Sequence, residues 1–113
     1  LAMLDFCRTH RLKTAIGSSS KNTKAILTRL GMTELFDAIA DGNDIKHSKP
    51  APDVFLCAAE KLGLAPALCL VAEDADAGIA AAKAAGMRVI AVGPAANNPD
   101  ADFALPQGFA PLL

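Results

Sequence analysis

The sequence predicts an α/β fold built on an open parallel sheet, and three observations predict it. From Leu68 to Val92 a short apolar run, an alanine-rich segment of helical length and a second run rich in β-branched residues follow one another directly. Leu12 to Gly31 repeats that order: an apolar run, then small polar residues, then Ile26, Leu27 and Leu30 at helical spacing. The chain has 113 residues, 52% hydrophobic and 20% charged, which suits one compact α/β domain over residues 1–113.

The same composition excludes several classes of function. A net charge of -1, with no basic run, offers no field for nucleic acid. No apolar stretch approaches the roughly 18 residues of a membrane span, and the amino end lacks the pattern of a secretory signal. The expectation is a soluble cytoplasmic protein that binds neither membrane nor nucleic acid. Cys7, Cys57 and Cys69 are odd in number and irregularly spaced, so they read as reduced, mostly buried thiols. His10 and His47 are isolated and read as surface residues. The first residue is Leu1 rather than methionine, which points to further residues upstream.

Taken in order, Leu1 to His10 reads as an amphipathic helix with Leu1, Leu4 and Cys7 on one face. Leu12 to Gly17 reads as a strand that delivers Ser18-Ser19-Ser20-Lys21-Asn22 to the start of a helix ended by Gly31. The commoner use of such serines is an N-cap; the alternative is an anion site on the free N–H groups of a helix amino end. Leu35 to Gly42 reads as a brief strand near a sheet edge, closed by an Asp41-Gly42 turn. In Ser48-Lys49-Pro50-Ala51-Pro52-Asp53, Pro50 forces Lys49 into an extended backbone just ahead of a helix carrying Phe55, Ala58, Ala59 and Leu62. The bland reading of Lys49 is a solvated lysine. Residues 93–100 read as a loop, Ala101 to Leu105 as a last short strand, and Pro106 to Leu113 as a tail.

Glu73 and Asp74 end the strand at the centre of this pattern. In open parallel sheets ligands gather beyond the carboxyl ends of the strands, so two adjacent acids there suit a cation or a polar substrate. The Ser18–Ser20 hydroxyls, the Lys49 ammonium and these acids all stand at strand-to-helix junctions, which a parallel sheet places along one edge. Together they make a set for phosphoryl transfer: donors for phosphoryl oxygens, a fixed cation, and hard oxygen ligands for Mg2+.

Four segments then resemble a known family in order and spacing: Ile16-Gly17-Ser18-Ser19-Ser20-Lys21-Asn22, Phe36-Asp37-Ala38-Ile39-Ala40-Asp41-Gly42, Ser48-Lys49-Pro50-Ala51-Pro52-Asp53-Val54-Phe55, and Val71-Ala72-Glu73-Asp74-Ala75-Asp76-Ala77-Gly78-Ile79. They look like the second to fourth motifs of the haloacid dehalogenase-like phosphohydrolases, most closely the β-phosphoglucomutase-like branch. The resemblance implies a Rossmann-like doubly wound parallel sheet with helices on both faces. It implies that Ser18 and the Ser19 N–H bind the transferring phosphoryl group, that Lys49 neutralises charge beside it, and that Glu73 and Asp74 hold Mg2+. Ser20, Lys21 and Asn22 match a segment that grips a second phosphate, which favours a small phosphorylated metabolite such as a sugar phosphate.

The family's first motif has no counterpart in this chain. That motif is an Asp-x-Asp pair ending an amino-terminal strand at the sheet centre, whose first aspartate forms an aspartyl-phosphate and whose second is the general acid and base. Asp74-Ala75-Asp76 belongs to the fourth motif instead. The resemblance therefore implies the carboxyl-terminal part of a magnesium-dependent phosphatase or phosphomutase, inactive by itself, with its central strand and most of its cap missing. Two unpaired strand edges would follow, favouring self-association or pairing with a missing amino-terminal half. A second reading is a truncated module that acts by association with another chain. A third, a receiver-type domain, fits poorly because no acidic cluster lies at the early strands.

Overall fold

The structure, a computed structural model, describes residues 2–107. Helix α1 (Ala2–Thr9) leads through a turn to strand β1 (Ala15–Gly17), helix α2 (Thr23–Arg29) and strand β2 (Ala38–Ala40). Helix α3 (Asp53–Leu62), strand β3 (Leu70–Glu73), helix α4 (Asp76–Ala84), strand β4 (Arg88–Val92) and strand β5 (Phe103–Leu105) complete the order. The expected tail beyond Gln107 lies outside the described residues, as does Leu1.

All strand pairs are parallel, but they form two separate sheets. β1 pairs with β2 in the register Ile16 to Ile39, and β3, β4 and β5 pair in that order, with Ala72 opposite Ile90 and Ile90 opposite Phe103. Among the described residues, one edge of β1 and one edge of β3 therefore lack a strand partner, as a partial core without its middle strand implies. The carboxyl ends of these two strands face each other across the gap, because the Lys49 side chain touches both Gly17 and Glu73. From the gap the chain steps outward in opposite directions through β1–α2–β2 and β3–α4–β4. Right-handed crossovers then put α2 and α4 on opposite faces, the doubly wound arrangement with helices on both sides.

α3 contacts β1, β2 and α4, so it bridges the gap from α4's side. A single apolar cluster runs through both halves: Ala40 from β2, Val54, Phe55, Ala58 and Ala59 from α3, Val71 and Val89 from the second sheet, and Ile79, Ala81 and Ala82 from α4. Alanines on α4 let that helix lie close to the sheet while remaining strong helix formers. Gly63, at φ 70°, ends α3 in the left-handed conformation that glycine adopts without steric cost. The opposite face of the second sheet is less covered: Leu70 and Phe103 are exposed and share that face with Ile90.

Several expectations change in detail. β1 is shorter than Leu12–Gly17, because the Thr14 N–H and hydroxyl are drawn to Asp37 Oδ2 instead. Residues 93–97 form a 3-10 turn rather than an open loop, with Pro94 in its first turn. The three cysteines are free but only half-buried rather than mostly buried: Cys57 and Cys69 pack at the margin of the cluster, and Cys7 lies on α1. His10 and His47 are exposed, as expected.

Asp102 fastens α4 to the second sheet. Its carboxylate accepts from Lys83 Nζ at 2.9 Å and 3.1 Å and from the Val89 N–H at 2.9 Å. The Lys83 contact, followed by the Val89 N–H, holds the Asp102 carboxyl below its ordinary pKa. A carboxyl that titrates lower folded than unfolded contributes stability above the ordinary carboxylate range and loses it as the pH falls through the folded value. Thermal melts recorded across the acid range should therefore show a steeper loss of stability on acidification for the unmodified chain than for Asp102→Asn.

Candidate functional site

The site lies where β1 and β3 end. β1 stops at Gly17, and the chain turns through Ser18–Asn22 before α2 begins. The Ser18 N–H still donates to Ala40 O at 3.0 Å, which keeps the turn level with the end of β2. The serines do not cap α2: Ser18 Oγ accepts from the Ser20 N–H at 3.2 Å and Ser20 Oγ from the Asn22 N–H at 3.1 Å. The N-cap position falls to Asn22, whose side chain makes no capping bond. The N-cap expectation is thus corrected. These hydroxyls close turns within their own loop, because α2 starts one turn later than the serine run suggests.

A second loop braces the first from below. Gly42 donates its N–H to Ser20 O at 2.9 Å, and Asn43 Nδ2 donates to Lys21 O at 3.0 Å. Asp41 is fully buried beneath them: Oδ1 accepts from the Asn43 N–H at 2.9 Å, while Oδ2 has Lys24 Nζ at 3.9 Å and no hydrogen-bond partner among the described residues. Lys21 and Asn22 are themselves exposed at the rim.

Lys49 is the hub. Its backbone N–H donates to Ser19 Oγ at 3.4 Å, and its side chain crosses the gap between the sheets. There Nζ donates to Gly17 O at 3.2 Å and to Glu73 Oε2 at 3.0 Å, and it lies 4.8 Å from the centroid of the Phe55 ring. Lys49 and Glu73 side chains retain 20% and 11% exposure, so the pair is shielded enough to matter and open enough to reach a ligand. The bland solvated-lysine reading is therefore set aside. Glu73 Oε1 accepts from the N–H groups of Asp74 and Ala75 at 3.2 Å and 3.3 Å, and Asp74 stands exposed beside it.

Ser19, Lys49 and Glu73 are thus brought into one connected group, with Ser18 and Asp74 adjoining it in sequence at the same sheet edge. Lys21 and Asn22 stand further out on the serine loop. Sequence reasoning missed two contributors. Phe55 was legible only as a helix core residue, and the Gly17 carbonyl carries no side-chain signal at all. A further Asp-x-Asp pair, Asp100-Ala101-Asp102, also escaped that reading. It precedes β5 and so lies at the amino end of a strand, on the edge away from the site.

Among the described residues no three His, Cys, Asp or Glu side chains gather as a ligand set. Glu73 and Asp74 nevertheless suit Mg2+ in donor chemistry, since that ion takes one or two carboxylates and keeps water or phosphate oxygens on its remaining positions.

This arrangement of a serine loop, a bridging lysine and adjacent acids can be set beside known proteins. The family described as "Haloacid dehalogenase-like hydrolase" matches residues 2–92. The chain belongs to that family. This haloacid dehalogenase-like chain is 49% identical over 76 residues to the fructose-1-phosphate phosphatase YqaB of Escherichia coli, covering 67% of the chain and 40% of that protein. It is 44% identical over 86 residues to the β-phosphoglucomutase of Bacillus subtilis, covering 76% of the chain and 38% of that protein. Its fold is similar to the crystal structure of β-phosphoglucomutase from Clostridium difficile, with a TM-score of 0.85 and 36% identity over 92% of this chain and 47% of that one. The chain spans less than half the length of these relatives, and it falls in the β-phosphoglucomutase-like branch of the family. Among the described residues no helix is long and apolar enough to cross a membrane.

The geometry makes Lys49 a structural tie as well as a charge. Lys49→Met keeps the stem over Phe55 but leaves Glu73 without its cation, and should lower stability by about 1–3 kcal/mol in urea unfolding.

Proposed function

We propose that this chain forms the phosphate- and metal-binding part of a magnesium-dependent phosphatase or phosphomutase that acts on a small sugar phosphate through an aspartyl-phosphate. The observation that carries this reading is the Lys49 ammonium, held at 3.0 Å from Glu73 and 3.2 Å from the Gly17 carbonyl at the ends of two parallel strands. A cation so fixed offers its remaining donor capacity to an oxyanion without reorganising. The relatives' names, a fructose-1-phosphate phosphatase and a β-phosphoglucomutase, support the substrate class.

In this reading the Ser18 hydroxyl and Ser19 N–H donate to phosphoryl oxygens, and Lys49 balances the charge that develops between the phosphoryl group and its acceptor. Glu73 and Asp74 would hold the magnesium ion, which when bound neutralises phosphoryl charge. Ser20, Lys21 and Asn22, at the exposed rim, would meet the second phosphate or the sugar. The accepting aspartate is not supplied by these loops, so turnover needs an Asp-x-Asp strand in the gap between β1 and β3.

One observation favours association as part of the function. β1 and β3 each present an unpaired edge to that gap, and a strand inserted there would complete both ladders. Either an amino-terminal half or a second copy could provide edge pairing.

Two measurements test the reading. Supplied with magnesium and an amino-terminal half bearing the Asp-x-Asp strand, the chain should release phosphate from fructose 1-phosphate, and Asp74→Asn should lower kcat by about 100-fold or more. Equal turnover by the chain alone would remove the need for the partner. In sizing experiments the chain alone should elute above the monomer position; a stable monomer at high concentration would count against self-association.

A further inference from the structure

Glu73 is held unusually fully for a residue at a strand end: both carboxylate oxygens are engaged, Oε1 by two loop N–H groups and Oε2 by Lys49. Its side chain folds back over the first turn of α4, and what lies beneath it is Gly78. That residue is buried, and a Cβ built on it would fall on the carboxylate carbon and Oε2 of Glu73. The backbone at Gly78 is ordinary helix, without the positive φ that would call for glycine. α4 has alanine at five of its nine positions, so the helix itself would be better served by alanine at position 78 as well. The missing methyl group serves the neighbour.

We propose that Gly78 is a positioning residue: the empty space above its Cα seats the Glu73 carboxylate on the amino end of α4, where it meets Lys49 and can face a divalent cation. The cation part rests on the reading of Glu73 as a metal ligand; the seat itself does not. A methyl at position 78 would force Glu73 outward, breaking its bonds to the Asp74 and Ala75 N–H groups and to Lys49 together.

A double-mutant cycle separates this from a plain helix effect. Gly78→Ala should lower the melting temperature of the chain, whereas the same change in a Glu73→Ala background should raise it, because the obstructing side chain is gone and only helix propensity remains. Manganese binding followed by paramagnetic resonance provides the second readout: Gly78→Ala should weaken it about tenfold, and should add nothing to the loss caused by Glu73→Ala. A rise in melting temperature in both backgrounds would overturn the proposal, as would failure of both Gly78→Ala chains to fold. Folding of only the double variant would support it. If the unmodified chain binds no manganese while the melting cycle behaves as stated, the metal reading of the site falls and the seat stands.

Discussion

An ammonium group lodged between a main-chain carbonyl and a carboxylate holds the two halves of this molecule in register. The ladders of backbone hydrogen bonds stop at β1 on one side and β3 on the other, so no sheet continuity fixes their relative position. What fixes it is the Lys49 side chain at the strand ends and the apolar cluster around α3 and α4 beneath them. The cluster supplies the area removed from water, which has no direction of its own. The ion pair, at low exposure and with defined distances, supplies the direction.

That division explains why the site is built from short-range turns. Each loop at the sheet edge closes partly on itself: serine hydroxyls accept from N–H groups two residues on, Asp41 Oδ1 accepts from the Asn43 N–H, and Glu73 Oε1 accepts from its two successors. Loops closed in this way keep their shape without the neighbouring ladder. The surface formed by these loops is preorganised even though the sheet below it is split.

The unit from β3 to β4 was legible in the sequence because its two apolar runs and the alanines between them agree with one local outcome. The family resemblance was equally legible, since four motifs stand in order. The serine run misled because a hydroxyl before a helix can serve either the helix or its own turn, and the choice depends on where α2 starts. The 3-10 turn at residues 93–97 hid behind a loop-like composition of glycine, proline and asparagine. The roles of Phe55 and the Gly17 carbonyl were illegible, because both arise only when β1, α3 and β3 come together. Cysteine burial failed for a similar reason: an apolar neighbourhood in sequence does not say how near the margin of a cluster the residue falls.

β4 is the one strand among the described residues with partners on both sides, β3 and β5. Its amides are therefore enclosed while those on the open flanks of β1 and β3 face the gap. Deuterium uptake should sort the molecule accordingly, with β4 retaining protons longest and the two flanks of the gap losing theirs early. The slowest-opening part of the chain is then off-centre, in the half that carries the acids, and the serine loop is carried by the half that opens first.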